Sequence, residues 1–382
     1  MSKKNLSFLA PILGSIGGVE KTAKELKQGC EELGIGFQCI SLLPSEQSDL
    51  NLLKNSKSMK YVRLLIGTAF SFLFYTFFCA IKTPEFWSRI KDSQVVVRNS
   101  SMCLAIFLAA KFKRQQIDIV YLPSHYSLDI HRGVMSSKKR AFLPDFKSLI
   151  NMYSEYLVEK CILKCRKIQI VTFSQNLKRR LKKDSINVVR PGVSRHIQEV
   201  NIEGSIDDES GTIRLLYVGR IDRGKNIELM LNLVNNSSEN IELSLCGDGQ
   251  LRALVEEYSN KNSNIHFLGK QFGEDLVKRY LASDFTFLPT FLESYGHVIP
   301  ESLCLGKPVI GFSFEACNNA IAELIEDGLT GFILKSDKQS EFDQVMRTAK
   351  NRQRFFYQKQ DQIRREALKR FNWHRFIESI VD

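Results

Sequence analysis

The chain is expected to fold as an α/β protein of two parallel-sheet domains, each with strands and helices in alternation. Three observations predict this. Short apolar runs end in glycine: Leu6–Pro11 runs up to Gly14, Gly17 and Gly18, Arg214–Val218 ends at Gly219, Ile241–Cys246 ends at Gly247, and Ile265–Leu268 ends at Gly269. Segments of helical spacing separate the runs, as in Val19–Leu33, where Ala23, Leu26, Cys30 and Leu33 share one stripe. The rhythm lapses over 194–212 and then restarts, and 382 residues suffice for two domains.

In the first half, strands are expected at Leu6–Pro11, Phe37–Leu43, Gln94–Arg98, Ile117–Leu122, Ile168–Phe173 and Val188–Arg190. Helices are expected at Val19–Leu33, closed by Gly34, at Leu104–Phe112, at Ser148–Cys165, and at Gln175–Lys183 with Ser174 as its cap. The second half continues with strands at Arg214–Val218, Ile241–Cys246, Ile265–Leu268, Phe285–Pro289 and Pro308–Gly311. Its helices are expected at Ile227–Val234, Gln250–Tyr258, Gly273–Ala282 and Val298–Cys304. Strands alternating with helices give parallel sheets, whose ligands bind at the carboxyl ends of the strands, where these glycines lie. The expected domains are 1–193 and 213–360, with 194–212 as an exposed linker and 361–382 as a terminal crossover helix.

Charge divides the chain the same way. The net charge is +12, but residues 1–200 carry 32 Lys+Arg against 15 Asp+Glu, and residues 201–382 carry 22 against 27. A basic first half suits an anionic surface. No zinc finger, RNP-like aromatic motif or basic-region helix points to nucleic acid. The nine cysteines are odd in number and irregularly spaced, and the pair Cys161 and Cys165 has no partners to complete a metal site, so free thiols in a reducing cytoplasm are expected. Leu64–Ile81 is 18 residues without a charge, flanked by Lys54, Lys57, Lys60, Arg63 and Lys82. A membrane span would cut the first sheet in two. A core helix and an interfacial helix are the alternatives, and the flanking cations favour the interfacial one.

Two segments carry the chemistry. In 219–225, Arg220 and Lys225 follow a strand end at Gly219 and precede a helix, so both can face one diphosphate. In 293–301, Glu293 and Glu301 flank a turn at Gly296, and the backbone N–H groups of Gly296, His297 and Val298 open a helix, a seat for an anion. Glu301 is placed to accept from ribose hydroxyls and Glu293 to contact a sugar.

With Leu215–Asn226, Leu245–Gly249, Ile265–Gly269, Phe291–Gly306 and Leu305–Ile310 in this order, nearly the whole chain resembles the retaining GT-B glycosyltransferases of family 4. The E-x(7)-E segment together with the Gly-Arg…Lys segment is the specific part. The resemblance implies two Rossmann-like domains facing across a cleft, with a terminal helix that starts near Phe371–Trp373 and crosses back to the first domain. It implies a UDP- or GDP-linked sugar donor and a lipid-linked or polysaccharide acceptor, in cell-surface polysaccharide synthesis on the inner face of a membrane. Arg220 and Lys225 would neutralise the leaving phosphate, and neither a metal nor another cofactor is implied. Gly17 and Gly18 would lie under the donor phosphates, Gly247 would form the second glycine turn, and the backbone near Lys270 would meet the base. His125 is the histidine assigned near sugar and phosphate, with His131 the alternative. An epimerase of the same architecture and a non-catalytic sugar-nucleotide-binding subunit are the competing functions.

Overall fold

The computed structural model describes residues 5–11, 18–43, 45, 48–52, 69–123, 146–202, 211–293, 295–314 and 318–381. The chain divides into two compact units, Met1–Arg190 with Trp373–Asp382, and Pro191–Asn372.

The first unit is a parallel sheet wrapped by helices. Its strands are β1 (Asn5–Ala10), β2 (Phe37–Ser41), β3 (Leu50–Asn51), β4 (Ser93–Val97), β5 (Asp118–Tyr121), β6 (Ile168–Thr172) and β7 (Asn187–Val188). Their spatial order is β3-β2-β1-β4-β5-β6-β7. Every residue of β4 is buried, as a strand covered on both faces requires. The helices are α1 (Gly18–Glu32), α2 (Ala69–Lys82), α3 (Pro84–Ile90), α4 (Ser100–Lys113), α5 (Phe146–Lys164) and α6 (Gln175–Leu181). Asn99 caps α4 by accepting from the Met102 N–H at 2.9 Å, and Ser174 caps α6 by accepting from Leu177 at 3.2 Å. Helix α6 stops at Leu181, two residues short of the expected end, where Lys182 turns left-handed.

Helix α2 resolves the uncharged segment from Ala69 onward; residues 64–68 lie outside the described residues. It is a core helix on one face, with Ala69, Phe72, Leu73, Thr76 and Ala80 buried in its packing on α4 and α5. Its other face is exposed. Core and interfacial readings are therefore not exclusive, because the two faces differ in burial while sharing the same apolar composition. No helix among the described residues is long and apolar enough to cross a membrane.

The second unit repeats the plan. Its strands are β8 (Ile213–Val218), β9 (Ile241–Cys246), β10 (Ile265–Gly269), β11 (Phe285–Leu288), β12 (Leu292–Glu293), β13 (Val309–Phe312), β14 (Asn318–Asn319) and β15 (Gly331–Leu334). Six form a sheet of order β10-β9-β8-β11-β13-β15, and β12 pairs with β14 beside it. Its helices are α7 (Arg195–Glu199), α8 (Ile227–Asn235), α9 (Arg252–Lys261), α10 (Gly273–Ala282), α11 (Val298–Cys304), α12 (Ile321–Leu324), α13 (Gln339–Asn351), α14 (Gln353–Gln358) and α15 (Gln360–Arg370). The last helix, α16 (Trp373–Val381), belongs to the first unit, where it packs on α1 and buries Phe376 and Ile377.

Two expected boundaries move. The stretch 194–212, expected as an exposed linker, opens with helix α7. Ile197 is its one buried residue, and the Arg364 guanidinium donates to the carbonyls of Ile197, Gln198 and Val200, so this part of the linker is structured within the second unit. One apolar residue in five leaves no period to read. The crossover segment 361–382 is not one helix: α15 ends at Arg370, Phe371 is extended and buried, and a new helix starts at Trp373.

At the opposite end of the second sheet from its glycine turns, Arg214, Asp284, Lys307, Gln353 and Tyr357 line a small, partly open pocket of about 60 Å³. Arg214 and Asp284 form a paired fork there, with contacts at 2.9 and 3.2 Å. Burial pulls the Lys307 ammonium from the ordinary 10.5 down to about 8, against the pull of Asp284. The folded chain gives up this proton before the unfolded chain does, so stability rises with pH between about 8 and 10.5. Below that window the buried charge is a cost. Lys307→Met is expected to stabilise at pH 7 by ~1–3 kcal/mol and to flatten the rise of stability above pH 8. Denaturant titrations across that range measure both, and an unchanged pH profile would contradict the assignment.

Candidate active site

Both sheets, of seven and six strands, have the order of a doubly wound sheet, in which the strand order reverses beside its first strand. In the second unit the reversal falls between β8 and β11. The carboxyl ends of those two strands lead into the two segments singled out in the sequence.

After β8, the chain passes Gly219 and Arg220, makes one short 3₁₀ turn over Arg223–Lys225, and enters α8 through Asn226 in the left-handed conformation. The Asn226 amide donates to the Pro289 carbonyl at 2.9 Å, tying this loop to the end of β11. After β11, the chain reaches β12, whose Glu293 is held by parallel pairing with Asn319 and by the Ala320 N–H donating to its carbonyl at 3.0 Å. Asn319 itself donates to the Phe312 carbonyl at 2.8 Å and the Thr290 carbonyl at 3.3 Å.

Lys225 and Glu293 meet. Lys225 Nζ donates to Glu293 Oε2 at 2.5 Å, with the two side chains 20% and 18% exposed. Arg220 reaches outward, 78% exposed, and pairs with Asp222 at 2.9 Å. The Tyr217 hydroxyl, buried beneath them, donates to the Arg220 carbonyl at 2.7 Å. Burial raises its pKa most, Asp222 and Glu293 raise it further, and Arg220 opposes them. The Tyr217 phenol therefore lies near Arg220, Asp222 and Glu293, and Lys225 is bonded to Glu293.

The glycine turns interlock. Gly219 N–H donates to the Cys246 carbonyl at 3.0 Å, Ile221 N–H to the Asp248 carbonyl at 2.9 Å, and Gly247 N–H to the Gly269 carbonyl at 2.8 Å. Lys270 Nζ lies 3.2 Å from Asp248 Oδ2 and holds that carboxyl below its usual range. Gly296 turns the chain from Glu293 into α11, His297 stacks edge-on against Tyr295 at 5.2 Å, and Val298 is the first helical residue. Glu301 is 4% exposed on α11 and accepts from the Tyr280 hydroxyl at 2.9 Å.

The structure thus brings Lys225 to Glu293 and Arg220 to their neighbourhood, sets Gly219, Gly247 and Lys270 around the adjoining turns, and buries Glu301 within α11. Gly18 opens α1 of the first unit. Gly17, His125 and His131 lie outside the described residues. Sequence reasoning missed Asp222, Asn226, Tyr280 and Asn319, and also Arg98, which follows β4 at the corresponding reversal of the first sheet. Arg98 donates to Thr22 Oγ1 at 2.9 Å and lies 5.7 Å above the Phe173 ring, with burial lowering it to about 10. Asn226 had a local signal, since asparagine tolerates the left-handed conformation at a helix entrance. The others depend on contacts distant in sequence.

Comparison with known proteins agrees with this architecture. Residues 201–370 match the family described as glycosyl transferases group 1. The chain is 23% identical over 290 residues to an uncharacterized 41.2 kDa protein in the cps region of Klebsiella pneumoniae, covering 72% of this chain and 73% of that one. It is 27% identical over 146 residues to a Campylobacter jejuni GalNAc-alpha-(1->4)-GalNAc-alpha-(1->3)-diNAcBac-PP-undecaprenol alpha-1,4-N-acetyl-D-galactosaminyltransferase, covering 37% of this chain and 41% of that enzyme, less than half its length. The solved structure of Anabaena HepE in complex with UDP and glucose superposes with a TM-score of 0.64 at 14% identity, covering 99% of this chain and 98% of the other, which is a likeness of fold. The second unit is a glycosyl transferases group 1 domain, and the chain is a glycosyltransferase of the GT-B fold.

Proposed function

We propose that this enzyme moves a sugar, with retention of anomeric configuration, from a UDP- or GDP-linked donor to a lipid-linked or polysaccharide acceptor in cell-surface polysaccharide synthesis. The observation that carries the reading is the Lys225–Glu293 contact at the reversal point of the second sheet, with Arg220 close by. A nucleoside diphosphate brings concentrated negative charge, and the carboxyl ends of β8 and β11 offer two cations and interlocked turns to receive it. The names of the relatives support the acceptor class: one lies in a cps region, and another carries an undecaprenol-linked saccharide in its name.

The chemistry needs no protein nucleophile and no cofactor. The bond from the anomeric carbon to the β-phosphate oxygen breaks, and the acceptor hydroxyl forms the new bond on the same face. Its proton passes to the departing phosphate oxygen, leaving a glycosylated acceptor and a nucleoside diphosphate. Lys225 and Arg220 stabilise the charge that grows on the leaving group. Glu293 positions Lys225 before the donor arrives and then faces the transferred sugar. The Gly296–Val298 turn offers backbone N–H groups, whereas Glu301, expected from the sequence to meet the ribose, is 4% exposed and already accepts from the Tyr280 hydroxyl. The roles of Gly17, Gly18 and His125 rest on the sequence resemblance alone.

A thermal-unfolding screen of nucleoside diphosphates and their sugars tests this. One base class is expected to raise the midpoint, since ligand at a hundredfold excess over Kd adds roughly 2.7 kcal/mol. Product analysis should then show a sugar joined to an acceptor rather than an epimerised or hydrolysed donor. No shift with any nucleoside diphosphate would overturn the reading.

A further inference from the structure

The first unit exposes large apolar side chains where a water-facing layer would be polar. Phe70, Phe74 and Phe78 are spaced by four on α2 and are 39%, 60% and 55% exposed. On α4, which packs against α2, Leu108 is 37% and Phe112 68% exposed. The Phe77 ring bridges the helices, 5.5 Å from Phe78 and 6.1 Å from Phe112. The opposite face of α2 is committed to the core, so the outward Phe side chains are held in place by the fold.

The charge on the two helices that form this patch has one sign. Neither α2 nor α4 contains an acidic residue. Lys82 ends α2, and Lys111, Lys113 and Arg114 surround Phe112, all exposed. On the elements packed against α2, Glu85 of α3 is paired with Arg89 at 3.0 Å, Glu159 of α5 is buried and Glu155 of α5 is half-buried.

We propose that this face docks on an anionic lipid bilayer, with Phe74, Phe78 and Phe112 entering the boundary of the acyl chains and Lys111, Lys113 and Arg114 resting at the lipid phosphates. Aromatic rings flanked by cations match the two chemistries that meet at that depth. A second copy of the chain fits worse, because a two-fold contact through this face would set its cations against their own images. The inference extends the lipid-linked acceptor reading but draws its evidence from the first unit alone.

Flotation of the full chain with vesicles tests it. Wild type is expected to float with vesicles of phosphatidylglycerol and phosphatidylcholine at low salt, to be released at high salt, and to bind pure phosphatidylcholine about 10-fold less. Phe74→Ser/Phe78→Ser/Phe112→Ser should lower binding to the anionic vesicles at least ~10-fold. The exchange Lys111→Gln/Lys113→Gln/Arg114→Gln should erase the preference for phosphatidylglycerol. Both variants should keep the nucleotide-induced rise in unfolding midpoint, which reports the second unit. The docking inference is overturned if wild type does not float at low salt, if the triple Phe variant floats as wild type does, or if sedimentation shows a dimer that this variant dissolves while vesicle binding persists. Should the triple variant fail to fold, Phe112→Ser is read in the same assay by the same criterion. Vesicle binding without any nucleotide response leaves the docking face standing and removes the donor reading instead.

Discussion

Lys225→Ala lowers sugar transfer by about 10²–10³-fold, the loss seen when one donor to a developing oxyanion is removed. The expected size follows from where the ammonium stands. Lys225 issues from the carboxyl end of β8, is only 20% exposed, and is fixed against Glu293 at 2.5 Å. A charge in such a partly desolvated site acts on the leaving group more strongly than one in water. Its removal has a second effect, because Glu293 stays behind at 18% exposure and meets the diphosphate with its own negative charge. Nucleoside diphosphate binding should therefore weaken together with turnover. Glu293→Gln separates the two effects. It too should lose transfer, because the sugar contact is gone, yet it should bind the free nucleoside diphosphate more tightly than wild type, because Lys225 is no longer shared. Turnover assays and calorimetric titration of both variants check this. Undiminished transfer in Lys225→Ala, or weaker nucleotide binding in Glu293→Gln, would contradict the roles assigned.

Much of the second unit was legible because its strands are covered on both faces. β11 and β13 are buried at every residue, and Ile213–Val218 and Ile241–Cys246 are mostly apolar runs, interrupted by Arg214, Glu242 and Ser244, that stop at a glycine. The strands β12 and β14 did not show, since two residues carry no period. They nevertheless fix Glu293, so the backbone support of a site residue was hidden while the residue itself was found. Helix α2 was expected, but the way its faces divide between core and surface was not. With Phe on both its buried and exposed faces, it offers no contrast from which burial can be read. Tyr280 and Glu301 are 21 positions apart and Lys225 and Glu293 are 68 apart, and neither pairing has a local signature. Segments 219–225 and 293–301 were recognised by residue type and spacing. Their convergence at one sheet reversal became visible only once the strand order was known.

Gly247→Ala is the second large effect, and it acts through the backbone alone. Gly247 has φ +156°, and a Cβ placed there would lie 1.8 Å from the Gly219 carbonyl oxygen and 3.0 Å from its carbon. That neighbour cannot step aside. Gly219 is held by its own N–H on the Cys246 carbonyl, Gly247 by its N–H on the Gly269 carbonyl, and Ile221 by its N–H on the Asp248 carbonyl. Making room means breaking some of these bonds and tilting the loop that carries Arg220 and Lys225. The expected cost is above ~4 kcal/mol, in the range reserved for backbone clashes in packed regions, with loss of the nucleotide-induced rise in midpoint. Gly269→Ala is the control. Gly269 is also left-handed, at φ +64°, and closes the next strand of the same sheet, but a Cβ there meets nothing within 4 Å. It should cost only the conformational penalty of about 1–2 kcal/mol and keep nucleotide binding. Unfolding titrations of the two variants decide between close approach and conformation, and equal losses would show that the Gly219–Gly247 contact does not set the loop.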